Sequence, residues 1–127
     1  MPRRLSRRRI GLALGGVGLL VLAWASLIPL DAGALPSRHD KLAHLMAYGT
    51  MGAWFGLFIP LRRWLPLWAA LGLFGLGIEF AQQTTGYRSF DRWDVLTNGA
   101  GAALGLALLA GPIRYWFVDD RHLRRLS

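Results

Sequence analysis

The 127-residue sequence has no cysteine, one lysine and one glutamate. Without cysteine, disulfides, thiolate metal ligands and thiol catalysis are all excluded. Charge is also scarce: 17% of the residues are charged, against about 25% in a typical soluble domain. Hydrophobic residues make up 54% of the chain, and a soluble domain of this size would struggle to bury so much apolar surface. The composition therefore indicates an integral membrane protein.

Asp, Glu, Lys and Arg are missing from four long stretches of the sequence. These stretches are 10–30, 42–61, 64–78 and 95–113. A helix needs about 20 mainly apolar residues to cross a bilayer, and the third stretch continues past Glu79 into further uncharged residues. We therefore expect an all-α, four-helix transmembrane bundle. Its predicted spans are 10–30, 42–61, 64–84 and 94–114, in one domain, 10–118, between a basic segment, 1–9, and a charged tail, 119–127.

The basic residues are concentrated on one side of the predicted bundle. The net charge is +8, and most of the 15 basic residues lie in 1–9, in 62–63 and in 114–127. An excess of arginine marks the cytoplasmic side of a membrane protein, so we expect both termini to be cytoplasmic. Because this asymmetry explains the basic charge, the expected partner is the lipid bilayer and not a nucleic acid.

The first apolar stretch also has features of a cleavable signal peptide. Arginines precede it, and Ala23-Trp24-Ala25 lies near its end. The stretch is longer than the roughly 7–15 apolar residues of a signal peptide, and Trp24 makes a poor cleavage site. The sequence therefore favours an uncleaved span.

Polar side chains are concentrated on the opposite side, at the outer ends of helices two, three and four. At about 100° per residue, Asp40, His44 and Tyr48 form one stripe along helix two. Polar residues inside a membrane are costly and mark functional sites, so the sequence predicts one outward-facing pocket. Its expected lining residues are Asp40, Lys41, His44, Tyr48, Glu79, Gln82, Arg88, Asp91, Asp94 and Asn98.

Structural roles are the competing explanation for these polar residues. A residue at water depth, such as Asp91, is equally typical of a solvated helix cap. A deeper polar residue, such as Asn98, is typical of a hydrogen bond between helices. Glu79 could serve as a structural lock by pairing with Arg88 or Lys41.

Small residues continue the polar faces further into the membrane. They let helices approach closely, so we expect them to pack against neighbouring helices. They are Gly101, Ala102 and Gly105 on helix four, and Gly72, Gly75 and Gly77 on helix three.

Taken in order, the polar residues resemble the pattern of the VanZ-like family of small bacterial membrane proteins. The matching pieces are Asp40-Lys41-x-x-His44-x-x-x-Tyr48, Glu79-x-x-Gln82, Arg88-x-x-Asp91-x-x-Asp94 and Asn98-x-x-Gly101, and the resemblance covers 37–110. It implies a protein of the bacterial cell envelope, in the inner membrane. The namesake is associated with low-level resistance to the glycopeptide teicoplanin, and no reaction is firmly assigned to the fold.

Two classes of function fit the pocket. In the first, a binding or accessory protein holds an envelope ligand that is lipid-linked or related to peptidoglycan. Lys41 and Arg88 would then contact phosphate or carboxylate, and Tyr48, Gln82 and Asn98 would contact hydroxyls or amides.

In the second class, the protein is an enzyme acting on a lipid-linked envelope substrate. Glu79 would be the general acid or base, His44 its partner and Asp94 an orienting carboxylate. A transporter fits less well, since four spans lack inverted repeats. We expect no cofactor. We also expect no metal, because His39 and His44 are five residues apart rather than three or four, and acidic ligands alone do not identify zinc. The ligand, the reaction and the oligomeric state stay open.

Overall fold

The computed structural model describes residues 6–28, 37–86 and 89–115, and of residues 37 and 38 only the backbone. Arg88, most of the basic segment 1–9 and the tail 119–127 therefore lie outside the described residues. The described chain is helical with no strand, which confirms the predicted all-α helical bundle. The first three helices are α1 (Arg7–Leu27), α2 (Ser37–Phe58) and α3 (Trp64–Thr84).

The last helix, α4, runs from Arg92 to Tyr115. Its first part, Arg92–Leu104, is α-helical, and Gly105–Ala110 is π-helical. The wider turn is visible at Gly111, whose N–H donates to the carbonyl of Leu106, five residues back. It lies just before Pro112, which has no N–H to donate to the preceding turn. Gly105, Leu106 and Ala110 are all buried in this segment, so the π-helical turn keeps one face of α4 on the core.

Local sequence explains where the helices begin. The Ser6 hydroxyl caps α1 by accepting from the Arg9 N–H at 3.3 Å. The Asp91 carboxylate caps α4 by accepting from the Trp93 N–H at 2.8 Å, as short polar side chains do at helix N-termini. Gly86, which follows the end of α3, has a φ of 81°, a conformation that glycine adopts without strain.

Three segments are long and apolar enough to cross a membrane: α1, Leu61–Thr84 and α4. The second helix is not among them, because its first half carries the polar stripe of the predicted pocket. It instead lies at the centre of the bundle, in contact with α1, α3 and α4. The other helices thus cover the least apolar one. The exact spans, including one for α2, stay a prediction.

Close contact between α2 and α4 holds the centre of the bundle together. A Cβ at Gly101 would overlap the carbonyl oxygen of Leu45, and one at Gly105 would overlap that of Gly49. Backbones this close leave room only for glycine. The prediction that Gly101 and Gly105 form a packing surface is therefore confirmed.

The glycines of α3 behave differently from one another. Gly75 is buried against Tyr48 and Asn98, with a Cβ position 2.9 Å from the Asn98 Nδ2 and 3.2 Å from the Tyr48 ring. A Cβ at Gly72 or Gly77, in contrast, would have no atom of the described chain within 4 Å. The prediction was right for Gly75 and wrong for Gly72 and Gly77, because only one face of α3 meets α2 and α4.

Arginine side chains tie the helices together at one end of the bundle. The Arg8 Nε donates to the carbonyl of Phe58 at 3.1 Å. The Arg114 Nη1 lies 3.1, 3.0 and 3.2 Å from the carbonyl oxygens of Gly56, Leu57 and Ile59 at the end of α2. We call this the arginine end; its members are Arg8, Arg62, Arg63 and Arg114. A cavity of about 280 Å³ between Trp64 and Arg114 lies here, far from the acidic residues.

Candidate functional site

The opposite end of the bundle carries the acidic residues. We call it the carboxylate end; its members are Asp40, Glu79, Asp91 and Asp94. They come from the start of α2, the last turns of α3 and the start of α4. Antiparallel packing of consecutive helices brings these three places together.

Lys41 is the ionic centre of this end. Its Nζ lies 2.9 Å from the Asp91 Oδ2 and 2.9 Å from the Asp94 Oδ1. Lys41 precedes the predicted span, and its hydrogen bond to Asp91, followed by that to Asp94, raises the pKa of Lys41 to about 12. The same bond, helped by the Trp93 N–H, lowers the pKa of Asp91 below its usual range. Lys41 is thus held by two carboxylates and does not offer a free charge to an anion.

The His44 side chain extends from α2 toward α4 and is largely buried. Its Nδ1 is 2.9 Å from the Asn98 Oδ1. Its Nε2 is 3.8 Å from the Asp40 Oδ1 and 3.8 Å from the Asp94 Oδ2. One nitrogen is therefore fixed by an amide, and the other faces two carboxylates beyond hydrogen-bonding distance.

Glu79 connects α3 to the cap of α4. It is 1% exposed, and its Oε1 accepts from the Asp91 N–H at 2.9 Å. Asp91 is the residue whose side chain caps α4, so Glu79 fixes the backbone at that point. Glu79 is therefore part of the same polar assembly as the start of α4, where Asp91 also binds Lys41 of α2.

Gln82 extends the assembly to α1. Its Nε2 donates to the Ser26 carbonyl at 2.8 Å, and its buried Oε1 has no hydrogen-bond partner among the described residues. Its neighbour Gln83 is exposed. The only buried residues of α1 are Gly11 and Gly15, so α1 lies at the periphery of the bundle.

Tyr48 and Asn98 form the floor of the assembly. Tyr48 is 2% exposed and Asn98 1% exposed, and both pack on Gly75 of α3. A larger residue at Gly75 would displace one of them. Tyr48 and Asn98 are thus enclosed between α2, α3 and α4.

The structure brings most of the predicted lining residues together. Direct contacts of 3.8 Å or less join Asp40, Lys41, His44, Asp91, Asp94 and Asn98, and Glu79 joins them through the Asp91 N–H. Arg88 lies outside the described residues. The sequence left open a pairing of Lys41 with Glu79. In the structure Lys41 binds Asp91 and Asp94 at the start of α4 instead.

Sequence reasoning missed two features of this site. The Ser26 carbonyl contributes through the backbone, which carries no side-chain signal. Asp40, His44 and Asp94 offer one ligand atom each, all within 4.8 Å of one another, an arrangement that could hold a metal ion. A search for ligand spacing along one helix cannot find it, because Asp94 is 54 residues from Asp40 in the sequence.

Comparison with known families gives one match. A family model described as VanZ/LLP1 matches residues 14–115, a range that includes every residue of the predicted lining. No curated protein and no solved structure matches the chain.

Proposed function

Because the chain belongs to the VanZ/LLP1 family, we propose that this membrane protein binds an envelope ligand at its carboxylate end. The ligand class is a lipid-linked or peptidoglycan-related intermediate of the bacterial cell envelope. The helices expose long apolar faces, including Leu20, Leu73 and Leu108, which suit contact with lipid. A lipid-linked ligand can therefore approach the site from the bilayer.

Burial of polar side chains carries this proposal. Glu79, Gln82, Asp94 and Asn98 are each exposed by 2% or less, inside a bundle with few other polar groups. Burying such groups is costly unless each is hydrogen-bonded or paired. Three of the four contact α2 or the cap of α4, so they belong to one polar assembly and are not scattered among separate helix contacts.

The charge pattern supports an orientation. The arginine end corresponds to the cytoplasmic side of a membrane protein. The carboxylate end then faces the outside of the inner membrane. Envelope intermediates that have crossed the membrane present their polar headgroups on that side.

A deletion strain tests the proposed function. We expect lipid and muropeptide profiling of the strain to show a changed level of one lipid-linked or peptidoglycan component, and glycopeptide susceptibility is measured in parallel. The wild-type gene should restore the profile. The Gln82→Ala variant should fail to restore it, because the buried amide is lost.

Gln83→Ala is the matched control for that experiment. Gln83 is the next residue, of the same type, but exposed, so its variant should restore the profile fully. Equal behaviour of the two variants at equal expression, or an unchanged profile in the deletion strain, would refute binding at this site.

A second candidate function is catalysis on the same ligand. The observation that favours it is His44, with Nδ1 fixed by Asn98 and Nε2 facing Asp94 at 3.8 Å. A histidine held in one orientation beside a carboxylate is typical of general acid–base chemistry. Purified protein in liposomes containing the lipid that accumulates in the deletion strain should then convert it, and His44→Gln should not. If the protein binds this lipid but does not convert it, catalysis is excluded and only the binding or accessory function remains.

A further inference from the structure

We propose that Asp40, His44 and Asp94 together bind one divalent metal ion at the carboxylate end of the bundle. The three residues meet where the first turns of α2 face the start of α4, and each directs one ligand atom toward the others. The expectation from sequence was that the chain holds no metal. That expectation rested on the histidine spacing along one helix and on the weak signal of acidic ligands, whereas the ligand set here comes from two helices.

The distances around the His44 Nε2 are those of ligands that share an ion. Metal–ligand bonds to imidazole nitrogen and carboxylate oxygen are about 2.0–2.2 Å long, so two ligands of one ion lie roughly 3–4 Å apart. The Nε2 is 3.8 Å from an oxygen of Asp40 and 3.8 Å from an oxygen of Asp94. Both separations are too long for hydrogen bonds and lie within that range, and the three ligand atoms all lie within 4.8 Å of one another.

The Asn98 amide orients the His44 ring. Its Oδ1 lies 2.9 Å from the His44 Nδ1, so the Nε2 is the nitrogen that faces the two carboxylates. A metal ion bound at the Nε2 would be shared with both carboxylates. Metal-binding histidines usually donate their second ring nitrogen to an oxygen acceptor in this way.

The other contacts of Asp94 leave the required oxygen available. Its Oδ1 accepts from Lys41, whereas the Oδ2 faces His44. Lys41 also holds Asp91, the cap of α4, so the Asp94 carboxylate is oriented by its neighbours before any ion arrives. Such outer contacts orient metal ligands in proteins.

A metal would also explain how the site can bind a phosphate group of the proposed ligand. This part of the argument rests on the proposed function. Lys41 is already held by Asp91 and Asp94, so it is not free to bind the phosphate of a lipid-linked intermediate. An ion held by three protein ligands keeps open positions for phosphate oxygens. One imidazole with two carboxylates suits Zn²⁺ or Mn²⁺.

Titration of the full chain with metal tests the inference without any lipid ligand. Protein in detergent, without an affinity tag and stripped with chelator, is titrated with Zn²⁺ and with Mn²⁺ by calorimetry. We expect one ion per chain with micromolar or tighter affinity for at least one metal. His44→Ala should weaken binding at least tenfold, and His39→Ala, which changes an exposed histidine of the same helix, should leave it unchanged.

Two further measurements keep the test independent of variant folding. Co²⁺ bound to the wild-type chain should give the visible absorption of a nitrogen- and oxygen-ligated site, lost on adding Zn²⁺. Nitrogen NMR of the His44 ring should show a neutral ring whose Nε2 signal shifts with metal. A doubly protonated ring that ignores metal, or metal binding that depends on His39 instead, would overturn the inference. If the protein binds metal but its deletion changes no envelope component, the metal site stands and the proposed function is refuted.

Discussion

At the level of single residues, Glu79 separates structural from functional roles most clearly. It is the only glutamate of the chain, is fully buried, and holds the N–H of Asp91. Glutamine at this position retains the oxygen that accepts this bond and nearly the same volume, while it removes the negative charge.

We therefore predict that Glu79→Gln folds normally and fails to complement a deletion strain. The free energy of unfolding should change by less than about 1 kcal/mol, since the retained bond fixes the start of α4. Melting temperature in detergent and restoration of the envelope profile are the two measurements. A loss of roughly 3–5 kcal/mol would identify Glu79 as part of a buried ion-pair lock, and full complementation would exclude any functional role for its charge.

Sequence reasoning predicted which polar residues gather at one end of the bundle, but not how they pair with one another. Helical periodicity was sufficient to place Asp40, His44 and Tyr48 on one face, since it needs only the angle per residue. The partner of Lys41 depends on how α2 and α4 meet, and that register is set by glycines along both helices. Distances between helices are a property of packing, which no local pattern contains.

At the level of helices, close approach of α2 and α4 depends on residues without side chains. We predict that Gly105→Ala destabilises the bundle by about 1–3 kcal/mol, because the new methyl group overlaps the Gly49 carbonyl. The atoms that the methyl group would meet belong to the backbone of α2, so the overlap can be removed only if α2 and α4 move apart. Detergent unfolding monitored by circular dichroism measures the loss.

The control for that variant is Gly77→Ala. Gly77 is also helical, but its Cβ position is open, and alanine in a helix is favoured over glycine by about 0.5–1 kcal/mol. Its stability should be equal or higher. Equal losses in the two variants would show that helix contact at Gly105 is not the cause.

A second helix-level prediction concerns the end of α2. The last carbonyls of a helix lack partners within it, and Arg114 supplies a donor to those of Gly56 and Leu57 and to that of Ile59 beyond it. Arg114→Gln should lower the free energy of unfolding by about 1.5–3 kcal/mol, the range for hydrogen bonds from a charged group. Arg62→Gln, which alters an exposed arginine at the same end, should have little effect, and thermal melts compare the two.

Helix boundaries were predictable to different degrees. The third predicted span, 64–84, agrees with α3, Trp64–Thr84, because a proline turn and a glycine bound it. The second helix starts at Ser37, five residues before its predicted span, since charged residues end an apolar run without ending a helix. The π-helical segment Gly105–Ala110 has no sequence signal of its own.

For the whole molecule, topology is the main prediction. Since the chain lacks cysteine, single substitutions Ser37→Cys and Ser89→Cys give unique labels near the carboxylate end. A membrane-impermeant thiol reagent should label both in intact cells whose outer membrane is made permeable. Leu61→Cys, an exposed position at the arginine end, should react only after the inner membrane is opened. The reverse pattern would place the carboxylate end in the cytoplasm and remove the proposed ligand class.

The central position of α2 has a consequence for how the protein is made. Its polar groups find their partners 50 to 54 residues later in the chain, at and in a helix that the ribosome produces after the other three. Until then α2 has only α1 and α3 as neighbours, and neither supplies those partners; α1 is contacted through the bond from the Trp54 indole to the Gly11 carbonyl. Membrane insertion of α2 must therefore be delayed or reversible, and chains truncated before α4 should be recognised and degraded by membrane proteases.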